Sequence, residues 1–308
     1  MSISFSNPSK ISNFQKTLNV IVVAMPVVGF IAATLAIIFW ERGVQPLDLS
    51  LLVGMYALTF FGITVGYHRF FTHRAFQAGA FVRAFLAIAG CMAGQGPVAS
   101  WVSHHRCHHL YSDTPQDFHS PNIHGEGFWG VVQGFWHAHT GWLLNVDWTP
   151  PYPYVSDLNR DKVVEKIDQL YILWVLLSLL IPTLLGGVLT GSWSGALRGL
   201  IWGGGIRIFL LHQFTFSVNS VCHLWGKRQF PTEDQSKNNL FVAIMTLGEG
   251  WHNNHHAFQH SAKFGLRWWQ LDFGWLGILA LNRLGLVWNV KVPSSSEIEL
   301  KSITSSVG

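Results

Sequence analysis

Cysteine, charge and repetition are all scarce in this chain of 308 residues. Its three cysteines, Cys91, Cys107 and Cys222, form no even framework and show no Cys-x-x-Cys spacing. That argues against a disulfide-stapled secreted domain and against a zinc ribbon. Charged residues make up only 12%, and the formal excess of +4 is scattered, so there is no basic stripe of the kind nucleic acid selects and no nucleic-acid partner is expected. No self-similar period of about 20–50 residues appears, which excludes a solenoid or propeller. What the chain has in abundance is apolar surface: 49% of residues are hydrophobic, with 15 Trp and 22 Phe. That exceeds an average soluble domain, and the chain is expected to sit largely in lipid.

Four segments carry the length and apolarity of a membrane span. Residues 18–40 run for 23 residues without a charge, long enough to cross a bilayer and too long, with no small-residue cleavage site, for a signal peptide. Residues 47–67 follow the short turn ERGVQP, with Asp48 their one charge. Residues 169–190 and 196–218 are joined by the turn GSWSG. Residues 80–98 are also apolar, but Arg83 and the run GQGP interrupt them, and a crossing there would put His68 and His105 on opposite faces. Residues 275–288, broken by Asn282 and Arg283, are placed outside the bilayer on the same ground. The expected fold is therefore an all-α integral membrane protein, a single domain over residues 1–308 with four transmembrane helices in two hairpins. Residues 68–168 and 219–290 would form a helical cap, and residues 293–308 a mobile tail. Basic residues, Arg69, Arg74, Arg83, Arg106, Lys227 and Arg228 among them, cluster on the cap side, while the opposite loops hold Arg42 and Arg198. The positive-inside rule then puts the cap in the cytoplasm.

The cap carries the unusual residue type. Of 16 histidines, nine fall in local groups: His68 with His73; His105, His108 and His109; His223; and His252, His255 and His256. Two of these groups have the same pattern, His-x-x-His-His, as HRCHH and HNNHH. Residues three or four apart share a helix face, so His105 can point alongside His108 or His109, whereas adjacent residues diverge by roughly 100°. One triplet can thus serve two ions lying side by side, and nine imidazoles exceed what one six-coordinate ion takes, so a dinuclear centre is expected. The five-residue step from His68 to His73 does not fit one face of a regular helix, which predicts a helix end near His68. Imidazole suits iron, zinc, copper and nickel; structural zinc sites close at four ligands and favour Cys, so a redox pair such as iron is the better fit. Glu249, Asp113 and Asp117 lie near the boxes and are expected to accept the outer N–H of ligand rings. His104, His119, His124, His137, His139, His212 and His260 stand singly, where a hydrogen-bonded structural role is the expectation. Arg207 and His212, inside the fourth span, are candidates either for bracing the cap or for a role near the substrate head group.

These residues resemble the membrane fatty acyl desaturases, in particular the acyl-CoA Δ9 branch similar to stearoyl-CoA desaturase. The likeness rests on HRFFTH at His68–His73, HRCHH at His105–His109, NSVCH at Asn219–His223 and GEGWHNNHH at Gly248–His256, in that order. The resemblance implies a cap holding two Fe2+ ions, with the nine grouped histidines as ligands, Asn219 reaching one iron through water, and O2 as co-substrate. It implies removal of hydrogen from two neighbouring methylenes of a fatty acyl substrate, leaving a cis double bond, commonly at Δ9. Electrons would come from a separate ferredoxin or cytochrome b5 type donor with its reductase, since no carrier domain is read after His256. General acids and bases cannot break an unactivated C–H bond, which is consistent with a metal cofactor. Trp101, Trp251, Trp136 and Phe128 are candidate walls of the acyl channel, and Tyr56 and Phe60 occupy positions where its end is expected. His104 and Cys107 are expected to be bystanders.

Two rival functions fit parts of the pattern. A di-iron hydroxylase or monooxygenase would use the same oxidant to insert oxygen instead of removing a second hydrogen. A metal transporter would want its ligands at the bilayer midplane on paired spans, whereas here they lie at span ends and in loops.

Overall fold

The computed structural model describes residues 13–39, 43–144 and 152–303. Helix α1 (Asn13–Phe39) is followed by α2 (Pro46–Phe61), which starts with proline at its first turn and Asp48 accepting the Gln45 N–H at 2.7 Å. Both are favourable helix starts, since proline needs no donor there and a carboxylate suits the positive end. Without a break α2 becomes a π-helical stretch, Gly62–Thr72. The short strand β1 (Gln77–Ala78) leads to α3 (Ala80–Cys91), α4 (Val98–Tyr111), α5 (Gly127–Trp136) and a single turn α6 (Trp142–Leu144). Then come α7 (Lys162–Gln169), α8 (Tyr171–Thr190) and α9 (Trp193–Gly199). A second π-helical stretch, Leu200–Ile206, joins α9 to α10 (Arg207–Leu224). The last part carries α11 (Leu240–Met245), α12 (His252–Ala257), α13 (Phe273–Arg283), strand β2 (Val287–Trp288) and α14 (Ser295–Ile303). The two strands pair antiparallel, Gln77 with Trp288 and Ala78 with Val287, which ties the C-terminal part to the residues just after His73.

Among the described residues, two helices are long and apolar enough to cross a bilayer, Pro46–Thr72 and Tyr171–Thr190. The second leaves Ile172, Leu176, Leu184 and Val188 more than half exposed, as a lipid-facing helix would. The sequence reading expects four spans, and the other two segments do not reach the same standard. The continuous helix over residues 193–224 carries Arg198, Arg207, His212 and Gln213, and several side chains of α1, with Trp40 beyond it, lie outside the described residues. Both nevertheless pack in one bundle: α1 and α2 against the Leu200–Ile206 stretch, α8 against α9. Helix α3 spans 12 residues, short of the roughly 20 a crossing needs.

Three local features position the cap. Helix α3 presses so closely on the π-helical stretch that a Cβ at Gly62 would lie 2.2 Å from the Gly90 nitrogen; only glycine permits that approach. Buried Arg207 donates to the carbonyls of Met92 (2.9 Å) and Ser178 (3.1 Å), and His212 Nε2 bonds the Ala93 carbonyl at 3.0 Å. Both side chains therefore hold the turn after α3, and His212 also lines the cavity described below. Arg106, inside HRCHH, donates to the carbonyls of Phe71 (2.7 Å) and Thr72 (3.2 Å) and pairs with Asp157. It thereby seals the end of the helix that bears the first histidines.

Two expectations need correction. The helix does not end at His68; it continues to Thr72 in π form, where the His73 N–H donates to the His68 carbonyl at 3.2 Å. The wider turn brings residues five apart onto one face, and the two imidazole rings sit 4.9 Å apart. Such π segments occur frequently at functional sites. The tail read as mobile from Pro293 instead forms α14, whose Lys301 donates to the Ala257 carbonyl; residues 304–308 lie outside the described part.

Candidate metal centre

Four helices deliver the histidines. The π-helical stretch presents His68 and the cap residue His73; α4 presents His105, His108 and His109; α10 presents His223 near its end; α12 presents His252, His255 and His256. Helix α12 has only six residues, too few to be stable by itself, and its two asparagines explain why it holds. Asn253 Oδ1 accepts the N–H groups of Gln229 (2.7 Å) and Phe230 (2.8 Å), while Asn254 Nδ2 donates to the Phe264 carbonyl (2.8 Å) and Gln270 Oε1 (3.0 Å). The pair between the histidines of HNNHH thus anchors the helix to two flanking loops.

The nine imidazoles converge as two clusters, each with ligand atoms mutually within 4.8 Å: His68, His73, His105, His109 and His255 in one, His108, His223, His252 and His256 in the other. Each His-x-x-His-His box is split, and in opposite senses. From α4 the first and last histidines join the five-membered cluster and the middle one the other; from α12 the middle one joins the five-membered cluster and the outer two the other. Residues i+3 and i+4 lie on either side of residue i and diverge from each other by roughly 100°, so one helical turn reaches both centres. Which histidine goes to which cluster, open in the sequence, is set by how α4 and α12 meet, with His109 and His255 in one cluster.

The donor atoms fit cations better than each other. His255 Nε2 lies 2.9 Å from both His68 Nε2 and His109 Nε2, His109 Nε2 lies 3.0 Å from His105 Nε2, and His223 Nε2 lies 3.0 Å from His252 Nε2. Neutral imidazole has one N–H, and buried His73 Nε2 and His256 Nε2 have no hydrogen-bond partner among the described residues, a costly state for a polar atom. Two nitrogens at right angles around an ion about 2.1 Å away would be about 3.0 Å apart, against about 3.4 Å in a tetrahedron. The observed spacings match the right-angle case.

Carboxylates fix the outer nitrogens. His68 Nδ1 bonds Glu249, His223 Nδ1 bonds Asp113 at 2.8 Å and His108 Nδ1 bonds Asp117 at 2.9 Å. A fourth, Asp234, binds His256 Nδ1 at 2.7 Å; it sits in the loop FPTEDQS, far from any box, and no spacing signal marks it. Each bond places the proton on Nδ1 and turns the Nε2 lone pair into the cluster, as outer partners of metal-bound histidine do. Asp113 adopts φ 60° at the end of α4, a conformation Asp tolerates better than most residues. It accepts further bonds from Ser120, Asn122 and the Gln235 N–H. Against the cost of burial, the partner histidines hold the carboxyls of Asp113, Asp117, Asp234 and Glu249 below their ordinary range. Burial pushes His73, His105, His109, His252 and His255 well below the usual imidazole value, and His256 down to about 4 despite Asp234. For His108 burial alone would lower the value, but the Asp117, Asp113 and Asp234 carboxylates together raise it.

A cavity of about 70 Å³ abuts the five-membered cluster at His105, lined also by Gln95, Trp101, Trp142, Thr215 and Asn219. Asn219 lies one helical turn before His223. Trp101 stacks on His105 at 5.1 Å and donates to Gln95, which in turn donates to Thr215 at 2.8 Å. Tyr56, Phe60 and Trp251 are not among the residues lining this cavity. Tyr56 donates to the Met245 carbonyl, Phe60 is wholly buried in the main core, and Trp251 packs with Ala243 and Phe264. Trp136 and Phe128 are largely exposed on α5. Among the single histidines, His137, His139 and His212 are hydrogen-bonded as expected. His119 joins His108 and Asp117 in a third group, and His104, His119 and His212 all line the cavity.

Comparison with known proteins agrees with this arrangement. The fatty acid desaturase family model matches residues 46–283, which contain every histidine of both clusters. The chain belongs to the fatty acid desaturase family. It is 49% identical over 281 residues to Hex-5-enoyl-(acyl-carrier protein) acetylenase of Moorena producens (strain JHB), covering 91% of this chain and 87% of that protein. It is 38% identical over 241 residues to sn-1 stearoyl-lipid 9-desaturase of Anabaena variabilis, covering 77% and 80%. It is 39% identical over 241 residues to Icosanoyl-CoA 5-desaturase of Limnanthes douglasii, covering 77% of this chain and 62% of that protein. Desaturase family members are oxidoreductases of lipid metabolism and are membrane-associated. The relatives differ in bond position and acyl carrier, so those features are not fixed by membership.

Proposed function

We propose that this desaturase holds two irons, one in each histidine cluster, and uses O2 to remove two hydrogens from adjacent carbons of a fatty acyl chain, leaving a cis double bond. The observation that carries the reading is the split of both His-x-x-His-His boxes between two clusters whose Nε2 atoms converge at 2.9–3.0 Å. An iron pair with O2 supplies the power to oxidise an unactivated C–H bond, which no protein acid or base has. The chain's own residues do the rest. Glu249, Asp113, Asp117 and Asp234 orient the rings, Trp101 and Trp142 wall the cavity against water, and Gln95 with Thr215 fixes the wall beside His105. Asn219 is proposed to approach one iron through water.

A cavity of about 70 Å³ is smaller than the roughly 300–1,000 Å³ of a pocket that encloses a whole ligand, so it suits the reacting segment of the chain. Position Δ9 on a saturated chain is the proposed outcome, in line with the 9-desaturase relative. A second reading, further desaturation of a short carrier-bound chain to an alkyne, is favoured by the 49% identity to the acetylenase. We further propose four spans with the cap in the cytoplasm, and a separate ferredoxin or cytochrome b5 type donor with its reductase.

The test is gas chromatography–mass spectrometry of products from the purified protein given O2, a reducing system and stearoyl or hexenoyl chains on CoA, carrier protein or glycerolipid. A new cis alkene at carbon nine supports the first reading, an alkyne from the hexenoyl substrate the second. Hydroxylated product without new unsaturation would overturn both in favour of the monooxygenase.

A further inference from the structure

We propose that the face of the metal cage bounded by His73, His109 and His256 is the docking surface for a small acidic one-electron carrier protein. The inference rests on the desaturase reading above and adds where its electrons enter.

Two surface depressions reach the cage by a route separate from the cavity beside His105. One, of about 340 Å³, has His73 and His109 in its lining together with Arg74, Arg106 and His260. The other, of about 450 Å³, is lined by His256, His260, Lys291 and Lys301. Gln259 and His260 belong to both, so the two adjoin. Neither shares a lining residue with the cavity at Trp101 and Asn219. An acyl chain seated in that cavity would therefore leave this face open. A partner docked here would be separated from either cluster by the thickness of one imidazole.

The charge of the face selects the partner. Its linings hold four cations, Arg74, Arg106, Lys291 and Lys301, and one carboxylate, Glu297. Asp157 beneath pairs with Arg74 at 2.5 Å and with Arg106 at 2.7 Å. Four positive charges less two negative leave +2 over the mouth of the cage. Complementary charge raises the rate of encounter and orients a partner of opposite sign, so an acidic carrier fits and a basic one is repelled.

The electron count requires such a partner. Removing two hydrogens from adjacent carbons supplies two electrons and two protons, and reducing O2 to two waters takes four of each. The remaining two electrons come from two dockings of a one-electron carrier, each oxidised once, and the remaining two protons from solvent.

The experiment uses the full chain in detergent and a plant-type [2Fe–2S] ferredoxin as the probe. Binding is measured by surface plasmon resonance at low and moderate salt, and turnover is measured separately with the ferredoxin reduced. The variant Arg74→Glu/Lys291→Glu reverses two exposed charges and is expected to raise Kd, and KM for the carrier, by about tenfold or more. Its kcat at saturating carrier and its KM for the acyl substrate should not change. Lys291→Gln, a milder change in case the double variant folds poorly, should raise Kd about threefold. Lys162→Glu, on exposed α7, should leave Kd unchanged. Equal Kd in wild type and both face variants, or equal weakening by Lys162→Glu, would overturn the docking surface. Binding is read without turnover, so absence of desaturated product would count against the desaturase reading alone.

Discussion

The two histidine clusters differ in how they are held. In the five-membered cluster one ring, His68, is backed by a carboxylate, Glu249; in the four-membered cluster three of four are, through Asp113, Asp117 and Asp234. The first compensates with numbers and abuts the cavity through His105, whereas the second is more anionic. Outer carboxylates fix ring tautomers and raise ligand basicity. The difference predicts tighter metal binding at the four-membered cluster than at the one beside the cavity.

Removing His255 should do the most damage to that scheme. Its Nε2 touches those of both His68 and His109, so His255→Ala is expected to abolish product and to empty the five-membered cluster first, leaving the other loaded. Iron analysis and product analysis on the same preparation check this; equal loss from both sites would erase the distinction between them. Next in size are the carboxylates. Asp113→Asn or Asp117→Asn should weaken metal binding at the four-membered cluster by about 10–100-fold, and Glu249→Gln should do so only at the other. Metal titration followed by optical spectroscopy separates the two.

Acid should act more gently, and in a stated direction. Burial lowers the folded-state values of His73, His105, His109, His252 and His255 below the ordinary 6.5, and that of His256 to about 4. A depressed value means the folded state binds fewer protons than the unfolded one, so stability falls as pH falls. Metal-free protein should thus hold its Tm above about pH 6.5 and lose it progressively towards about pH 4. A Tm that rises over that interval would contradict the burial argument. The smallest expected effect on catalysis is that of Phe60→Ala. Phe60 is fully buried in the core and away from the cavity lining, so truncation should cost roughly 3–5 kcal/mol of stability without changing chain-length preference. A shift towards longer products would place the channel end at Phe60 after all.

The comparison also separates what was legible in the sequence from what was not. The nine histidines and three of their four carboxylates could be read directly, because box spacing on a helix is a local property. The sorting of His105, His109 and His255 against His108, His252 and His256 needed the crossing of α4 and α12, which no local pattern encodes. Asp234 was missed for the same reason: it meets His256 from a loop 22 residues away. The π-helical winding of Gly62–Thr72 was misread as a helix end because the five-residue step from His68 to His73 fits no regular helix. Of the aromatic residues read as channel candidates, Trp101 lines the cavity beside His105, whereas Trp142 and Phe216, which also line it, carried no local signal.

The most direct test of two unequal iron sites is elemental analysis of the purified full chain during stepwise chelation. The account predicts two irons per chain at the start, a plateau at one as the five-membered cluster empties, and loss of the second only at higher chelator. A single metal per chain, zinc in place of iron, or loss of both in one step would contradict it.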